Sequence, residues 1–354
     1  MWISPLFRHL CCGGAVAALS VPAAAAVVDV LFESPTLDRW MYPFNATPGT
    51  RGEAAVFTSL DIPEFDEFDE RDGQALLGFD TSLEVPVDLP LSDYTVTAAR
   101  LTIMNEGDEN FLFDPTYDSY RTYLDPADPE YLPDEDAGRP LIISGAGYRN
   151  QFVEEPFPEN GPFDNIAGEA PRTRNVYPIT YIAPGMAVDI SNNVEDRFDV
   201  TPFAVAQIPG LLPGDPVPNR TDMEFVIDAE DPSIQAYLRA ALQRGRLDLV
   251  ISSLHFSEVF GSNTYPTLYM KENFAVPTSA SPARLELTVQ IGDQPPLPGD
   301  VDGNGVVDVQ DLVLVIVNWG PCPELGPCTG DLDGNDFVDV SDLVEVIVNW
   351  GTGG

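Results

Sequence analysis

Apolar and polar residues alternate along several short segments of residues 27–291, here called the body, as expected for strands with one buried face. In the segment 284–291 every second residue is apolar, which predicts a half-buried terminal strand. The segment 94–103 also alternates, but its apolar parity changes after Ala98, and this change predicts a β-bulge. Further apolar runs predict strands at 75–79, 140–144 and 246–256.

One segment of the body has the spacing of a helix. Asp231 is a favourable N-cap, Pro232 suits the first helical position, and Gly245 follows the predicted end. Long loops at 125–140 and 154–172, with 34 prolines and 28 glycines in the chain, favour a mainly β fold of jelly-roll-like β-sandwich type with one short helix. Five apolar residues form a stripe at helical spacing: Ile234, Tyr237, Leu238, Ala241 and Leu242.

The last part of the chain carries an internal repeat. A proline-rich linker at 292–298 precedes it, and the segment 300–320 recurs 31 residues later as 331–351. Sixteen of the 21 aligned positions are identical, which indicates a duplication. Residues 299–351, here called the tail, are therefore expected to form a small α domain of two similar units.

Each copy spaces its oxygen-bearing side chains as an EF-hand calcium loop does, with a backbone carbonyl at the seventh position. Calcium takes about six to eight oxygen ligands, and alternate residues of a tight loop can converge on one ion. Ordinary acidic turns are the alternative, which two copies with six matched positions each disfavour. The pattern predicts two Ca²⁺ ions with these ligands: Asp300, Asp302, Asn304, Val306 (carbonyl), Asp308 and Asp311 in the first loop, and Asp331, Asp333, Asn335, Phe337 (carbonyl), Asp339 and Asp342 in the second.

Glycines shape both loops. Gly303, Gly305 and Gly334 permit the tight turn, whereas Asp336 stands in the second loop where the first has Gly305. Aspartate adopts the left-handed conformation less readily than glycine, so we expect the second loop to bind calcium more weakly. The last ligand is aspartate and not the bidentate glutamate of regulatory EF-hands, which separates the tail from calmodulin-like sensors.

After each loop comes Leu-Val-x-Val-Ile-Val-Asn-Trp-Gly, in which the spacing of Leu312, Val315, Ile316 and Trp319 favours a helix over a strand. A duplicated loop and helix without an entering helix resembles the type I dockerin family. The resemblance implies that two calcium ions fold the tail and that its helices dock on a cohesin-type domain. The positions that are polar or basic in cellulosomal dockerins hold other residues here. This difference disfavours a cohesin partner and leaves the protein's own body as the alternative partner. The positions concerned are Val309, Gln310, Ile316, Val317, Val340, Ser341, Ile347 and Val348.

Short motifs connect the body with a second family. Two segments of the body resemble the first strand pair of the DNRLRE-type carbohydrate-binding β-sandwich family. They are Gln-Ala-Leu-Leu-Gly-Phe-Asp-Thr at 74–81 and Tyr-Thr-Val-Thr-Ala-Ala-Arg-Leu-Thr-Ile at 94–103. Phe-Asp-Val-Thr-Pro-Phe-Ala-Val at 198–205 is similar to its mid-domain strand, and Lys-Glu-Asn at 271–273 with Arg-Leu-Glu-Leu-Thr-Val at 284–289 to its final strands. The name-giving sequence of that family is not present. The segment Leu-Asp-Arg-Trp-Met-Tyr-Pro-Phe-Asn at 37–45 also looks like the start of uncharacterised secreted proteins of planctomycete-like bacteria.

The second resemblance implies glycan binding, for which aromatic side chains offer faces that stack on sugar rings. Trp40 and Tyr42, with Phe44, are one candidate set, and Tyr117 with Tyr120 is another. Core packing is the alternative role for most of them. An aromatic groove without convergent carboxylates would favour binding, whereas a cleft with two carboxylates of raised pKa would favour hydrolysis.

The chain is strongly acidic, with 57 acidic and 17 basic residues and a formal net charge of −40. A nucleic-acid partner is excluded because phosphate binding needs a basic face. Such a surface attracts divalent cations and repels acidic polysaccharides, which makes a neutral polysaccharide the expected ligand. Adaptation to a salty medium is an alternative reason for the charge.

The N-terminus is typical of an export signal. Arg8 and His9 precede an apolar stretch at 10–21, and the run 23–26 offers a small-residue cleavage site, so residues 1–26 are expected to be removed. The stretch is too short and too rich in glycine and alanine for a stable membrane span, so no membrane insertion is expected. The protein is therefore predicted to be secreted, either extracellular or on the cell surface.

Two cysteines remain after the predicted signal, since Cys11 and Cys12 leave with it. Cys322 and Cys328 form an even pair in an exported protein, which predicts a disulfide bond. A metal site is the alternative, but it would lack two ligands because His255 is the only other soft candidate.

No catalytic motif is recognisable in the sequence, and neither G-x-S-x-G nor H-E-x-x-H occurs. The acidic run 61–70 is more readily a solvated loop than a metal site, and His255 on an apolar strand is more readily a core histidine than a general base. The leading hypothesis is a non-catalytic glycan- or matrix-binding protein with a calcium-folded dockerin. The alternatives are a dockerin-bearing glycoside hydrolase and a purely structural surface protein.

Overall fold

The structure, a computed structural model, describes residues 26–42, 45, 47–60, 69–149, 152–153, 157–160, 175–183, 186–257, 264–276, 278–292, 297–302, 306–322, 328–335 and 337–352. Several predicted features lie outside these residues: the signal before Ala26, Phe44, the 61–68 part of the acidic run, most of the loop 154–172, Gly303, Asn304, Gly305 and Asp336.

Strands make up most of the regular structure in the described part of the chain. Their bounds are β1 (Ala26–Phe32), β2 (Leu37–Met41), β3 (Glu53–Ala55), β4 (Gln74–Asp80), β5 (Tyr94–Met104), β6 (Leu141–Tyr148), β7 (Val176–Ala183), β8 (Met186–Asp189), β9 (Ala204–Val205), β10 (Asp222–Val226), β11 (Arg246–Ser253), β12 (Thr267–Tyr269), β13 (Arg284–Ile291), β14 (Gly320–Pro321) and β15 (Phe337–Val338). The α-helices are α1 (Pro232–Arg244), α2 (Val309–Val317) and α3 (Val340–Val348), and 3₁₀ helices cover Pro48–Thr50, Leu91–Asp93 and Tyr120–Tyr123. The mainly β class is therefore confirmed.

Two large antiparallel sheets and a two-stranded sheet of β3 and β12 build the described part of the body. One large sheet has the strand order β1–β13–β5–β10, and the other has the order β2–β4–β11–β6–β7–β8, with β9 also paired to β6. Apolar side chains of both sheets meet in one core, among them Leu77 and Leu249 from the larger sheet and Leu101 and Leu287 from the smaller one. Because each sheet buries a face against the other, the arrangement is consistent with a β-sandwich.

Helix α1 begins and ends where its capping signals predict. Asp231 Oδ1 accepts hydrogen bonds from the backbone N–H groups of Ser233 and Ile234 at 2.8 and 3.0 Å. At the other end Gly245 adopts a φ of +80°, which a side chain would disfavour. Four of the five stripe residues are buried in the core and Tyr237 is partly buried against it, so the helix covers the core beside β5 and β11.

The bulge predicted from the change of parity lies in β5. Thr288 pairs with Ala98, whereas its neighbour Val289 pairs with Val96, so Thr97 is the extra residue. Thr97 and Ala98 are both exposed, and the apolar residues that follow them face the core again on the opposite parity.

The prediction of a strand across 198–205 is wrong for most of that length, because strand pairing among the described residues begins at Ala204. Pro202 has no N–H to donate to a sheet, and the N–H of Phe198 donates to the carbonyl of Asn193 at 3.1 Å in a local turn. The backbone therefore reaches β6 only at its last two residues.

The tail consists of two loop–helix units that pack on each other. Val307 joins the first loop to the end of the tail, because its N–H donates to the carbonyl of Thr352 at 3.0 Å and its carbonyl accepts from Gly351 at 2.9 Å. The predicted helices follow both loops, although Ile316 and Trp319 are about half exposed. In the described residues no helix has the length and apolar character to cross a membrane. Four valines, one from each loop and one from each helix, form the tail core: Val307, Val315, Val338 and Val346.

Candidate functional site

Three carboxylates converge in each loop of the tail. In both loops one carboxylate oxygen from each of three aspartates lies within 4.8 Å of the other two. A hard divalent cation binds such oxygen atoms and offsets their mutual repulsion, so the donor set fits calcium. The two converging sets are Asp300, Asp302 and Asp311, and Asp331, Asp333 and Asp342.

Backbone N–H groups hold the last aspartate of each set, which is fully buried. Asp311 Oδ1 accepts hydrogen bonds from Val301 and Asp302 at 2.7 and 3.1 Å, and its Oδ2 accepts from Asp308 at 2.8 Å. Asp342 makes the equivalent three bonds at 2.7, 3.3 and 2.8 Å. Burial raises the pKa of Asp342, but these backbone hydrogen bonds lower it more, so the net pKa lies below the ordinary value of an aspartate.

The two predicted ligands at the ninth position do not join the converging sets. Asp308 and Asp339 are the N-caps of α2 and α3, and each accepts a hydrogen bond at 2.7 Å from the N–H two residues later. Each also forms a capping box with the last aspartate of its loop. Val306 and Phe337, the predicted carbonyl ligands, lie just before these caps, the first buried and the second exposed.

The second loop shows how the turn is closed. The N–H of Asn335 donates to Oδ1 of both Asp331 and Asp333, at 3.1 Å in each case. Gly334 adopts a φ of +71°, as its predicted role in the turn requires. The backbone of the loop therefore wraps around the carboxylates.

The two cysteines of the tail are bonded to each other in the structure, with their Cα atoms 5.2 Å apart. Carboxylate oxygens of Asp331 lie near both sulfur atoms, but a disulfide leaves neither Cys322 nor Cys328 as a thiolate ligand. Cys328 also packs against the tail core, so the bridge ties the connection after α2 to the start of the second loop.

The outer sides of α2 and α3 present matching apolar residues to solvent, here called the apolar helix surface. The exposed fractions agree between equivalent positions, for example 69% for Val317 and 74% for Val348. A repeated apolar surface of this kind marks an interaction site more often than chance exposure does. Its members are Val309, Val313, Ile316, Val317 and Trp319, with Val340, Val344, Ile347, Val348 and Trp350.

A buried arginine of the body lies near the first loop. Arg239 in α1 is 5% exposed, and burial lowers its pKa while the negative charge of Asp300 raises it. The first acidic loop of the tail is therefore close enough to the body to interact electrostatically with α1.

Trp40 and Tyr42 line a pocket of about 240 Å³ in the body, here called the aromatic pocket. Their rings stack with centroids 4.8 Å apart and an angle of 19° between the planes. Phe57 and Tyr265 extend the aromatic wall, with centroids 4.9 Å apart. The remaining lining residues are Arg51, Glu53, Ala55, Glu106, Asn110 and Thr267.

Strand pairing positions the aromatic pocket. Trp40 stands in β2, and its indole Nε1–H donates to the carbonyl of Ala55 in β3 at 2.8 Å. Ala55 in turn pairs with Thr267 in β12, which brings Tyr265 to the same wall. The Arg51 guanidinium lies over the Trp40 ring at 5.7 Å. Because these bonds fix the indole, its orientation is set before any ligand arrives.

Two carboxylates also line the aromatic pocket. Burial raises the pKa of Glu106, and the negative charge of Glu53 raises it further. Sequence reasoning missed Phe57, Tyr265 and both glutamates, because they come from separate segments and no local motif connects them. The pairing of β3 with β12 is what brings these segments together in the structure.

The other aromatic candidates have structural roles. The hydroxyl of Tyr117 accepts a hydrogen bond from the N–H of Val200 at 2.7 Å, and its ring packs against a buried cluster with Ile142. The hydroxyl of Tyr120 donates to Glu130 at 3.1 Å. Core packing therefore accounts for Tyr117, and neither ring lines the aromatic pocket.

His255 is a core histidine, as predicted, although β11 ends at Ser253 and His255 lies two residues beyond it. It is 5% exposed, its Nδ1 lies 2.5 Å from Ser253 Oγ, and burial lowers its pKa to about 3.

The acidic run 61–70 is predicted to be a solvated loop, and its last residue, Glu70, differs from that prediction. Glu70 is buried because it accepts hydrogen bonds from the backbone N–H groups of Val194 and Glu195.

No protein-family model matches this chain, and no curated protein is significantly similar to it. The resemblances to the dockerin and DNRLRE-type families therefore rest on the sequence motifs alone.

Proposed function

We propose that this is a secreted calcium-binding protein whose tail is a dockerin-type docking module and whose jelly-roll-like body binds neutral glycan or matrix. The observation that carries the proposal is the duplicated convergence of three carboxylates, in loops that the sequence repeats. An isolated acidic turn arises easily in a chain of net charge −40, but two repeated sets with equivalent backbone hydrogen bonds do not.

Calcium occupancy of the tail is tested by titration calorimetry on the full chain. We expect Asp302→Ala and Asp333→Ala each to remove one bound ion, with the second loop the weaker site. Glu33→Gln is the matched control, because Glu33 is exposed and far from both loops in sequence. Unchanged stoichiometry in the double variant would overturn the tail sites.

Attachment through the tail is supported by the apolar helix surface, which is exposed at equivalent positions of both repeats. A cohesin-type domain is one partner for it. Since Arg239 lies near Asp300, the protein's own body is the other. Binding of the full chain to a cohesin-type domain, measured with and without chelator, separates them, because only an external partner is captured in a calcium-dependent way.

Glycan binding by the body is supported by the aromatic pocket. Stacked rings beside amide and carboxylate groups suit a sugar, whose faces are apolar and whose edges form hydrogen bonds. Affinity electrophoresis against neutral and acidic polysaccharides tests this, and we expect retention by a neutral one. Retention by none of them would favour a structural surface protein.

A glycoside hydrolase is the second candidate, favoured by the two glutamates of the aromatic pocket. A carboxyl with a raised pKa beside a second carboxylate is the pair that acid-assisted hydrolysis uses. Analysis of products in the same electrophoresis samples decides between the two functions. Steady release of oligosaccharides by the wild type and its loss in Glu106→Gln would establish hydrolysis, whereas retention by a polysaccharide that stays unchanged would favour binding.

A further inference from the structure

A third carboxylate cluster lies in the body, far in sequence from the tail. One carboxylate oxygen from each of Asp114, Asp118 and Asp136 lies within 4.8 Å of the other two. All three stand in the long connection between β5 and β6. Asp114 and Asp118 are 2% and 6% exposed, whereas Asp136 is exposed, so the cluster opens to solvent on one side.

The positive charge beside this cluster is already engaged. Arg139 Nη1 donates to Asp118 Oδ2 and to Asp134 Oδ2, at 2.8 Å in both cases. The same Asp118 oxygen also accepts a bond from the hydroxyl of Tyr123 at 3.3 Å. One guanidinium therefore faces two carboxylates, and Asp114 and Asp136 add two further negative charges.

Asp114 carries the observation that points to a ligand. Its Oδ1 accepts hydrogen bonds from the N–H and the hydroxyl of Thr116 at 2.8 and 2.9 Å. Its Oδ2 is buried and has no hydrogen-bond partner among the residues that the structure describes. A buried carboxylate oxygen without a donor is costly unless a proton or a cation neutralises it.

Another acidic cluster has a positive charge of the protein itself beside its carboxylates. Asp38, Glu159 and Glu272 also converge within 4.8 Å, but the Lys271 ammonium contacts all three, at 3.4 Å from Asp38 and from Glu272. The lysine supplies the positive charge there. Around Asp114 no lysine exists to do so, because Lys271 is the only one in the chain.

We propose that Asp114, Asp118 and Asp136 bind a third divalent cation, of the calcium class, independent of the two tail loops. Carboxylate oxygens are the ligands that such an ion prefers, and the buried Oδ2 of Asp114 offers it an oxygen that accepts no hydrogen bond from the described residues. Burial raises the pKa of Asp114 to about 6, hydrogen bonds from Thr116 lower it, and the charges of Asp118 and Asp136 raise it. The ion would join the early part of the connection between β5 and β6, at Asp114 and Asp118, to its late part at Asp136.

The test counts calcium bound to the full chain after equilibrium dialysis at pH 7.5. The variant Asp302→Ala/Asp333→Ala removes the proposed tail sites, and we expect it to retain one ion per chain. Adding Asp114→Asn or Asp136→Asn should remove that ion or weaken its binding at least tenfold. Because Asp136 is exposed, its variant folds even where the buried one does not.

Glu135→Gln is the matched control, since Glu135 is exposed in the same loop and lies outside the cluster. We expect it to keep the ion. Absence of bound calcium in the double tail variant would overturn the third site, as would equal binding in Asp136→Asn and Glu135→Gln. The tail sites are tested separately, by the difference in the number of bound calcium ions between the wild type and the double tail variant.

Discussion

Gly299 and Gly330 hold equivalent positions in the two repeats, and each packs on the helix of the other repeat. A Cβ at Gly299 would lie 3.1 Å from the carbonyl oxygen of Glu345 and 3.2 Å from Cα of Val346, both in α3. A Cβ at Gly330 would lie 3.3 Å from Cα of Val315 in α2. Each glycine immediately precedes the first aspartate of its acidic loop, so each loop begins in contact with the helix of the other repeat.

This packing predicts that Gly299→Ala and Gly330→Ala destabilise the tail. Their φ values are +92° and +97°, and such a conformation costs an alanine about 1–2 kcal/mol before any contact is counted. Gly351→Ala is the control, because its φ is +74° but its Cβ would meet open space. Unfolding of the tail can be followed by its proteolysis at a series of calcium concentrations. We expect Gly299→Ala and Gly330→Ala both to be less stable than the control variant. Equal stability of the three variants would show that the helix contacts do not matter.

The aromatic pocket predicts that Trp40→Ala weakens binding of a neutral glycan by about 1–3 kcal/mol, since an aromatic anchor in a pocket contributes strongly. Salt should change the affinity little, because stacking is not an interaction between charges. Phe274→Ala is the control, as that ring is 94% exposed outside the pocket. A loss of affinity in the control equal to that in Trp40→Ala would contradict the assignment.

His255 predicts a loss of stability in acid. Burial lowers its pKa in the folded protein to about 3, and the charge of Arg139 contributes, whereas the unfolded value is near 6.5. The unfolded chain therefore takes up a proton first, and the stability present above pH 6.5 falls as the pH drops towards 3, by roughly 1.4 kcal/mol per pH unit. The free energy of unfolding is measured from pH 8 to pH 4 for the wild type and for His255→Asn. Below pH 6.5 we expect the difference between the two free energies to change with that slope. Parallel curves would show that the histidine is not buried neutral.

The disulfide predicts that Cys322 and Cys328 resist alkylation in freshly prepared protein until a reductant is added. Intact mass before and after reduction checks this. Replacing both by serine should lower the free energy of unfolding of the tail by about 2 kcal/mol, because the closed loop is short. Alkylation of two thiols without reductant would refute the bond.

The features that the sequence determined by itself are local ones. The strand of alternating residues at 284–291, the bulge near Ala98 and the caps Asp231 and Gly245 follow from side-chain periodicity and from backbone preferences that act within a few residues. The convergence of three aspartates in each duplicated loop belongs to the same class, because their spacing is a property of a single turn, whereas calcium binding stays a prediction. Asp308 shows the limit, since its side chain caps α2 instead of joining the converging carboxylates.

The tertiary structure alone decided what distant segments do together. The pairing of β3 with β12 brings Phe57 and Tyr265 to Trp40, and the connection between β5 and β6 folds Asp136 over Asp114. Neither grouping has a sequence motif, because its members lie far apart along the chain. The cause is physical: burial of the shared core selects one sheet pairing among many, and only that pairing determines which polar groups meet.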